Sequence, residues 1–124
     1  MTQPAASAPE FFGAMVDRYD SLIRRAVPRY DEMIERLLEV LPDPAPRVLE
    51  LGCGTGNLTL RLLQRYPAAA VTTVDAAPEM TAVTAQRAAA GDRLRTVTAR
   101  FEELEFNGAS FDLVTSCMSL HHVA

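Results

Sequence analysis

Apolar residues recur at helical spacing through Met33, Ile34, Leu37, Leu38 and Leu41, and the pattern stops at Pro42. The spacing predicts an amphipathic helix over about residues 29–41 and a shorter helical segment over about 12–26, with Pro28 interrupting or opening the second. Residues 1–10 carry no such period and read as a loose tail. The run PDPAP, from Pro42 to Pro46, is a rigid connector. Beyond it the pattern changes to short apolar runs over residues 47–51, 70–74, 94–99 and 111–116, which read as strands. Between them lie helical segments over 57–66, where Leu58, Leu62 and Leu63 supply the buried face, and over 78–90. Pro67 ends the first of these helices, Gly91 stops the second, and a turn around Asn107 and Gly108 leads into the last strand. Strands alternating with helices are the mark of parallel βαβ units, so the expected fold class is α/β. Residues 1–45 form a tail with helices, and 46–124 belong to the α/β domain.

Composition narrows the partners. The 124 residues are 48% apolar with a formal net charge of −4, enough for the core of one domain and no global basic field. Nucleic acid and anionic lipid are therefore disfavoured as partners, and the cluster Arg24, Arg25 and Arg29 reads as a solvated helix face. Cys53 and Cys117 have no CxxC partner and no histidine at zinc spacing, so neither a metal site nor a disulfide framework is expected. With no apolar stretch of membrane length and no secretory leader pattern, the expected setting is a reducing cytoplasm.

The candidate chemistry lies in residues 48–59, VLELGCGTGNLT, where a short strand runs into a carboxylate and then into Gly52, Gly54 and Gly56. Such a turn lets a ligand touch backbone that a Cβ would hold away. Asn57 is positioned to cap the helix that follows. Dinucleotide sites carry GxGxxG, but Asn57 occupies the third glycine's position here. Glu50 at the mouth of the turn would repel a pyrophosphate and attract an ammonium or sulfonium group. Asp75, at the end of the next strand, offers two oxygens to the hydroxyls of a ribose.

VLELGCGTGNLT, VTTVDAAPEM and FDLVTSCMSLHH, in that order, resemble the class I S-adenosylmethionine-dependent methyltransferases over about residues 48–123. The resemblance implies a Rossmann-like parallel sheet in the order 3-2-1-4, S-adenosylmethionine as cofactor, S-adenosylhomocysteine as product, and a small molecule as methyl acceptor. It implies that Glu50 reaches the cofactor's amino group and that Gly52, Cys53, Gly54 and Gly56 form the turn around the methionine portion. Asp75 would bind the ribose, and Ala76 and Met80 would flank the adenosine. Thr115, Ser116 and Cys117 bring small polar groups to the carboxyl edge beside the turn, where open α/β sheets bind ligands. The N-terminal helices would cover the cofactor as a lid.

Several residues depart from the family pattern or fall outside it. Where the third strand ends, the family often has an aspartate that reads the adenine amino group; this chain has Arg100 and then Phe101. Arginine has no acceptor, which leaves stacking by Arg100, the backbone of Phe101, or a weak hold on the cofactor; Glu102 and Glu103 are close enough to substitute but read first as exposed solvating charges. RRAVPRYDEM, with NGASF near the fourth strand, is similar to carboxy-S-adenosylmethionine synthases, in which Tyr30 would help hold the methionine end. Their turn usually carries a CSLG-type sequence where this chain has CGTG, which favours an ordinary methyltransferase; a cofactor-binding module without catalysis is a further alternative. His121 and His122 receive no catalytic duty, Cys117 reads as a small hydrophobe, and the catalytic residues stay open. The class builds a seven-stranded sheet, so the resemblance implies truncation after the fourth strand. The expectation is a fragment of a longer enzyme or a fold completed by another chain, with the fourth strand an exposed edge that offers a place for self-association.

Overall fold

The computed structural model describes residues 8–106 and 111–117. The expected turn at Asn107 and Gly108, the histidines His121 and His122, and most of the expected tail lie outside the described residues. Helix α1 runs over Ala8–Ala26, earlier than the expected start at residue 12. Pro9 falls in its first turn, where the missing N–H has no intrahelical acceptor to lose. Pro28 interrupts the helical region, and Arg29 takes a left-handed φ of 62° before α2, Tyr30–Val40.

The α/β part follows as β1 (Arg47–Leu51), α3 (Asn57–Arg65), β2 (Ala70–Asp75), α4 (Pro78–Ala88), β3 (Leu94–Thr98) and β4 (Leu113–Ser116). Helix α4 stops two residues short of the expected end, because Ala89 turns left-handed at φ 46° and Gly91 opens a single 3-10 turn into β3. Asn57 is not the cap of α3. Gly56 occupies that position, and the Asn57 side chain is engaged elsewhere.

All strands are parallel in the order β3-β2-β1-β4, as expected, with Val48 in register with Val71 on one side and Leu113 on the other. β1 is central and reads as a continuous buried run, whereas Val114 on β4 is 56% exposed. On one side of the sheet, Val48 and Val71 share a core with Leu58, Leu62 and Leu63 of α3 and with Tyr30 and Ile34 of α2. Among the described residues no helix is long and apolar enough to cross a membrane.

Arg93 closes this layer. Its guanidinium donates to the carbonyls of Leu63 and Tyr66 at 2.9 Å each and of Ala69 at 3.2 Å, satisfying the end of α3 and the turn after it. Arg93→Ala is expected to cost about 1–3 kcal/mol in denaturant unfolding. The exposed Arg95→Ala on β3 is expected to stay within about 0.5 kcal/mol, and equal losses for the two would contradict this role.

Candidate functional site

The glycine turn is tied to the ends of β1 and β2. The N–H groups of Gly52 and Cys53 both donate to the Val74 carbonyl, at 2.7 and 3.2 Å. Gly54 has a φ of +53°, and a Cβ there would lie 2.8 Å from the Tyr19 hydroxyl. Gly56, at φ +95°, would press a Cβ to 3.2 Å from Thr84. Both positions therefore need glycine for conformation and for space. The turn is braced by Asp75: its Oδ2 accepts from the Gly54 N–H at 3.1 Å and its Oδ1 from the Ala77 N–H at 3.0 Å. Each carboxylate oxygen keeps further acceptor capacity.

A cavity of about 420 Å³ opens along the carboxyl ends of β1, β2 and β3. Of the residues expected at the site, Gly52, Gly54, Asp75, Ala76, Met80, Arg100 and Phe101 line it. Tyr30, Glu50, Cys53, Gly56 and Thr115 are not part of its lining. Gly56 sits against Thr84 behind the turn, and Cys53 and Thr115 are buried. Burial pushes the Cys53 thiol up to about 12, which leaves it protonated and a poor nucleophile. Cys117, also pushed up by burial, lines the cavity.

Glu50 lies beneath the turn, not at its mouth. It is 1% exposed, and its Oε1 accepts from the hydroxyls of Thr59 and of Thr73, the latter at 2.8 Å. Burial raises its pKa to about 7, the two hydroxyls oppose that rise, and the Asp75 charge adds to it. The strand's alternation turns Glu50 to the same face as Val48, under α3, which explains the burial.

Tyr30 is a core residue of α2. It is 8% exposed, with its hydroxyl accepting a 3.4 Å hydrogen bond from Asn57 Nδ2. The tyrosine at the cavity is Tyr19 of α1. Burial is the main cause pushing its phenol up to about 12, so it stays a neutral donor. Its neighbour Asp20 anchors α1 to the turn, accepting from Thr55 Oγ1 at 2.9 Å and Asn57 Nδ2 at 3.0 Å. Arg87 of α4 completes the network by donating to the Thr55 carbonyl at 3.1 Å and Asn57 Oδ1 at 2.8 Å. Sequence reading missed Tyr19 although a signal existed: the triplet RYD occurs twice, at residues 18–20 and 29–31. At the far end of the cavity Glu102 joins the lining and pairs with Arg100, Nε to Oε1 at 3.5 Å.

Comparison with known proteins agrees with this architecture. Residues 48–124 match the family described as a methyltransferase domain. A malonyl-[acyl-carrier protein] O-methyltransferase of Halorhodospira halophila is 41% identical over 111 residues, covering 88% of this chain and 37% of the relative. A trans-aconitate 2-methyltransferase of Mycobacterium tuberculosis is 47% identical over 45 residues, 36% of this chain and 17% of the relative. The chain thus spans well under half the length of these two relatives. Among solved structures, the SAM-bound amino pentose methyltransferase of Micromonospora echinaspora superposes with a TM-score of 0.60 at 26% identity, over 94% of this chain and 44% of that one. An N-methyltransferase of Bradyrhizobium japonicum, solved with S-adenosyl-L-homocysteine, shares the fold at a TM-score of 0.67 and 19% identity, over 85% of this chain and 53% of that one. With the glycine turn at the end of β1 and the sheet order 3-2-1-4, the chain belongs to the methyltransferase domain family, class I and S-adenosylmethionine-dependent.

Proposed function

We propose that this chain forms the S-adenosylmethionine-binding part of an enzyme that methylates a small-molecule acceptor. The observation that carries the reading is the single cavity wall made by Gly52, Gly54 and Asp75, with the carboxylate already oriented by two backbone N–H groups. The residues suit the cofactor. The cavity volume lies within the usual range for small-ligand sites, about 300–1,000 Å³. Asp75 provides acceptors for ribose hydroxyls, Ala76, Met80 and Phe101 provide apolar surface for a base, and Asp75 with the Glu50 site below gives a negative field for a cationic ligand. When bound, the cofactor supplies a sulfonium methyl group for transfer.

This chain's own contribution is positioning. The backbone of Gly52 and Gly54 faces the methionine portion, with Cys53 and Gly56 holding the turn from behind, and Tyr19 walls the cavity from α1 as part of a lid that residues 1–45 contribute. Methyl transfer to a competent nucleophile depends chiefly on in-line approach and exclusion of water, so the site needs no dedicated base. A cytoplasmic setting belongs to the same reading and suits the free thiols of Cys53 and Cys117.

The test is calorimetric titration with S-adenosylmethionine, S-adenosylhomocysteine and NAD, followed by transfer of labelled methyl to trans-aconitate and to a malonyl thioester, the acceptors in the relatives' names. Binding of both S-adenosyl compounds with no response to NAD is the expected result. Binding of NAD alone overturns the reading, and cofactor binding without transfer to either acceptor favours a module that binds without catalysis. The carboxy-S-adenosylmethionine synthase reading loses its main support, because it leaned on Tyr30 and that side chain is in the core, away from the cavity lining.

A further inference from the structure

Gly54 lines the cavity at a φ of +53°, and as a glycine it has no side chain with which to fix its own backbone. Both of its peptide groups are held from outside the turn. Its N–H donates to Asp75 Oδ2 at 3.1 Å. Its carbonyl accepts from the Thr84 hydroxyl of α4 at 3.0 Å and from the Cys53 thiol, a weaker donor, at 3.4 Å. Thr84 is fully buried, and its Oγ1 and Cγ2 stand where a Cβ on Gly56 would approach to 3.2 Å. One side chain therefore holds the Gly54 carbonyl and closes on Gly56, out of reach of solvent.

Helix α4 carries Met80, Thr84 and Arg87 at i, i+4 and i+7, which places them on one face. Met80 lines the cavity, Thr84 holds Gly54, and Arg87 donates to the Thr55 carbonyl, one residue further along the turn, at 3.1 Å. The Arg87 side chain is 31% exposed, so water can substitute for it, whereas buried Thr84 has no such replacement. We propose that Thr84 is a positioning residue: it sets the Gly54 peptide before the ligand arrives and so favours a nucleoside that lays an amino-acid end on the turn over one that lacks that end. A glycine left free to change conformation loses that freedom on binding, and the loss weakens the ligand that touches it. A ligand held at Asp75 and Met80 alone is indifferent to it. This rests on the S-adenosylmethionine reading above, in which the methionine portion faces Gly52 and Gly54.

The test measures binding of S-adenosylhomocysteine and of 5′-methylthioadenosine, which keeps the adenosine and the thioether but lacks the amino-acid end. The proteins are the parent chain and its variants Thr84→Val, Thr84→Ser and Thr84→Ala. Parent and valine variant differ by a hydroxyl in place of a methyl, and serine and alanine variants by the hydroxyl alone, so each pair isolates the hydrogen bond at nearly constant shape. Within each pair, loss of the hydroxyl should weaken S-adenosylhomocysteine about tenfold and 5′-methylthioadenosine by less than about twofold. Thr84→Ser should keep the parent's ratio of the two affinities, even where the lost methyl lowers its melting temperature. A threonine that only supports the fold predicts instead that both ligands weaken together, in step with the melting temperature. An unchanged affinity ratio within either pair overturns the proposal, as does a serine variant that behaves like valine. If Thr84→Val fails to fold, the serine and alanine variants make the same comparison. A parent that binds S-adenosylhomocysteine no more tightly than 5′-methylthioadenosine overturns the proposal while leaving the cofactor reading intact. A parent that binds neither compound overturns the cofactor reading itself.

Discussion

Glu50→Gln is expected to stabilise this protein above pH 7 by about 3 kcal/mol and at the same time to weaken its hold on S-adenosylmethionine. Glu50 is fully enclosed, and its Oε1 accepts from the hydroxyls of Thr59 and Thr73. Burial raises its pKa from the ordinary 4.5 to about 7. Between those two values the folded state binds more protons than the unfolded chain, so stability falls as pH rises through the window. The contribution is complete below pH 4.5, declines up to about pH 7, and is level above it. Glutamine keeps the carbonyl acceptor for Thr59 and Thr73 and removes the titration. Denaturant unfolding of both proteins from pH 5 to pH 8 should therefore give stabilities that diverge with rising pH; parallel profiles would contradict the assignment. Cofactor affinity should move the other way. A ligand carrying ammonium and sulfonium charges is attracted to a carboxylate at low dielectric, so the glutamine variant should bind about tenfold more weakly at pH 8. A residue that costs stability and improves binding is the pattern of a functional site, not of a core.

Asp75→Ala is expected to show the largest loss of binding, about a hundredfold or more for S-adenosylhomocysteine. In this structure the carboxylate braces the turn through the N–H groups of Gly54 and Ala77 and lines the cavity. On the function proposed above it has a second task, accepting from the ribose hydroxyls. Alanine removes both. The milder replacement Asp75→Asn should fall between parent and alanine, because one oxygen remains as acceptor. A ribose-modified ligand separates the two tasks: a 2′-deoxy analogue should bind the parent weakly and the alanine variant no worse than the unmodified compound does. If the variant still discriminates between the two ligands, the ribose contact lies elsewhere.

Much of the architecture was legible from local pattern. The strand segments are short apolar runs, the helix after the first of them places Leu58, Leu62 and Leu63 on one face, and those periods respond to burial on one or both faces. The boundaries that moved did so for local backbone reasons that composition does not show. Ala89 turned left-handed before Gly91 was reached, and Gly56 served as the cap in place of Asn57, whose side chain is drawn into the Asp20 and Arg87 network. The position of Glu50 was harder. Its place in the strand shows which face it occupies, but not that α3 and the threonines close over it.

The sequence by itself determined the strand, glycine turn and helix, the carboxylate at the end of β2, and the departure at Arg100, because each is a property of neighbouring residues and their conformational demands. The tertiary structure decided between the two RYD triplets. In the first, Tyr19 reaches the cavity and Asp20 bonds the turn; in the second, Tyr30 packs into the core and Asp31 pairs with Arg24 at the surface. The triplets are identical in composition, and the break at Pro28 gives their helices different packing partners, so only the long-range arrangement could distinguish them.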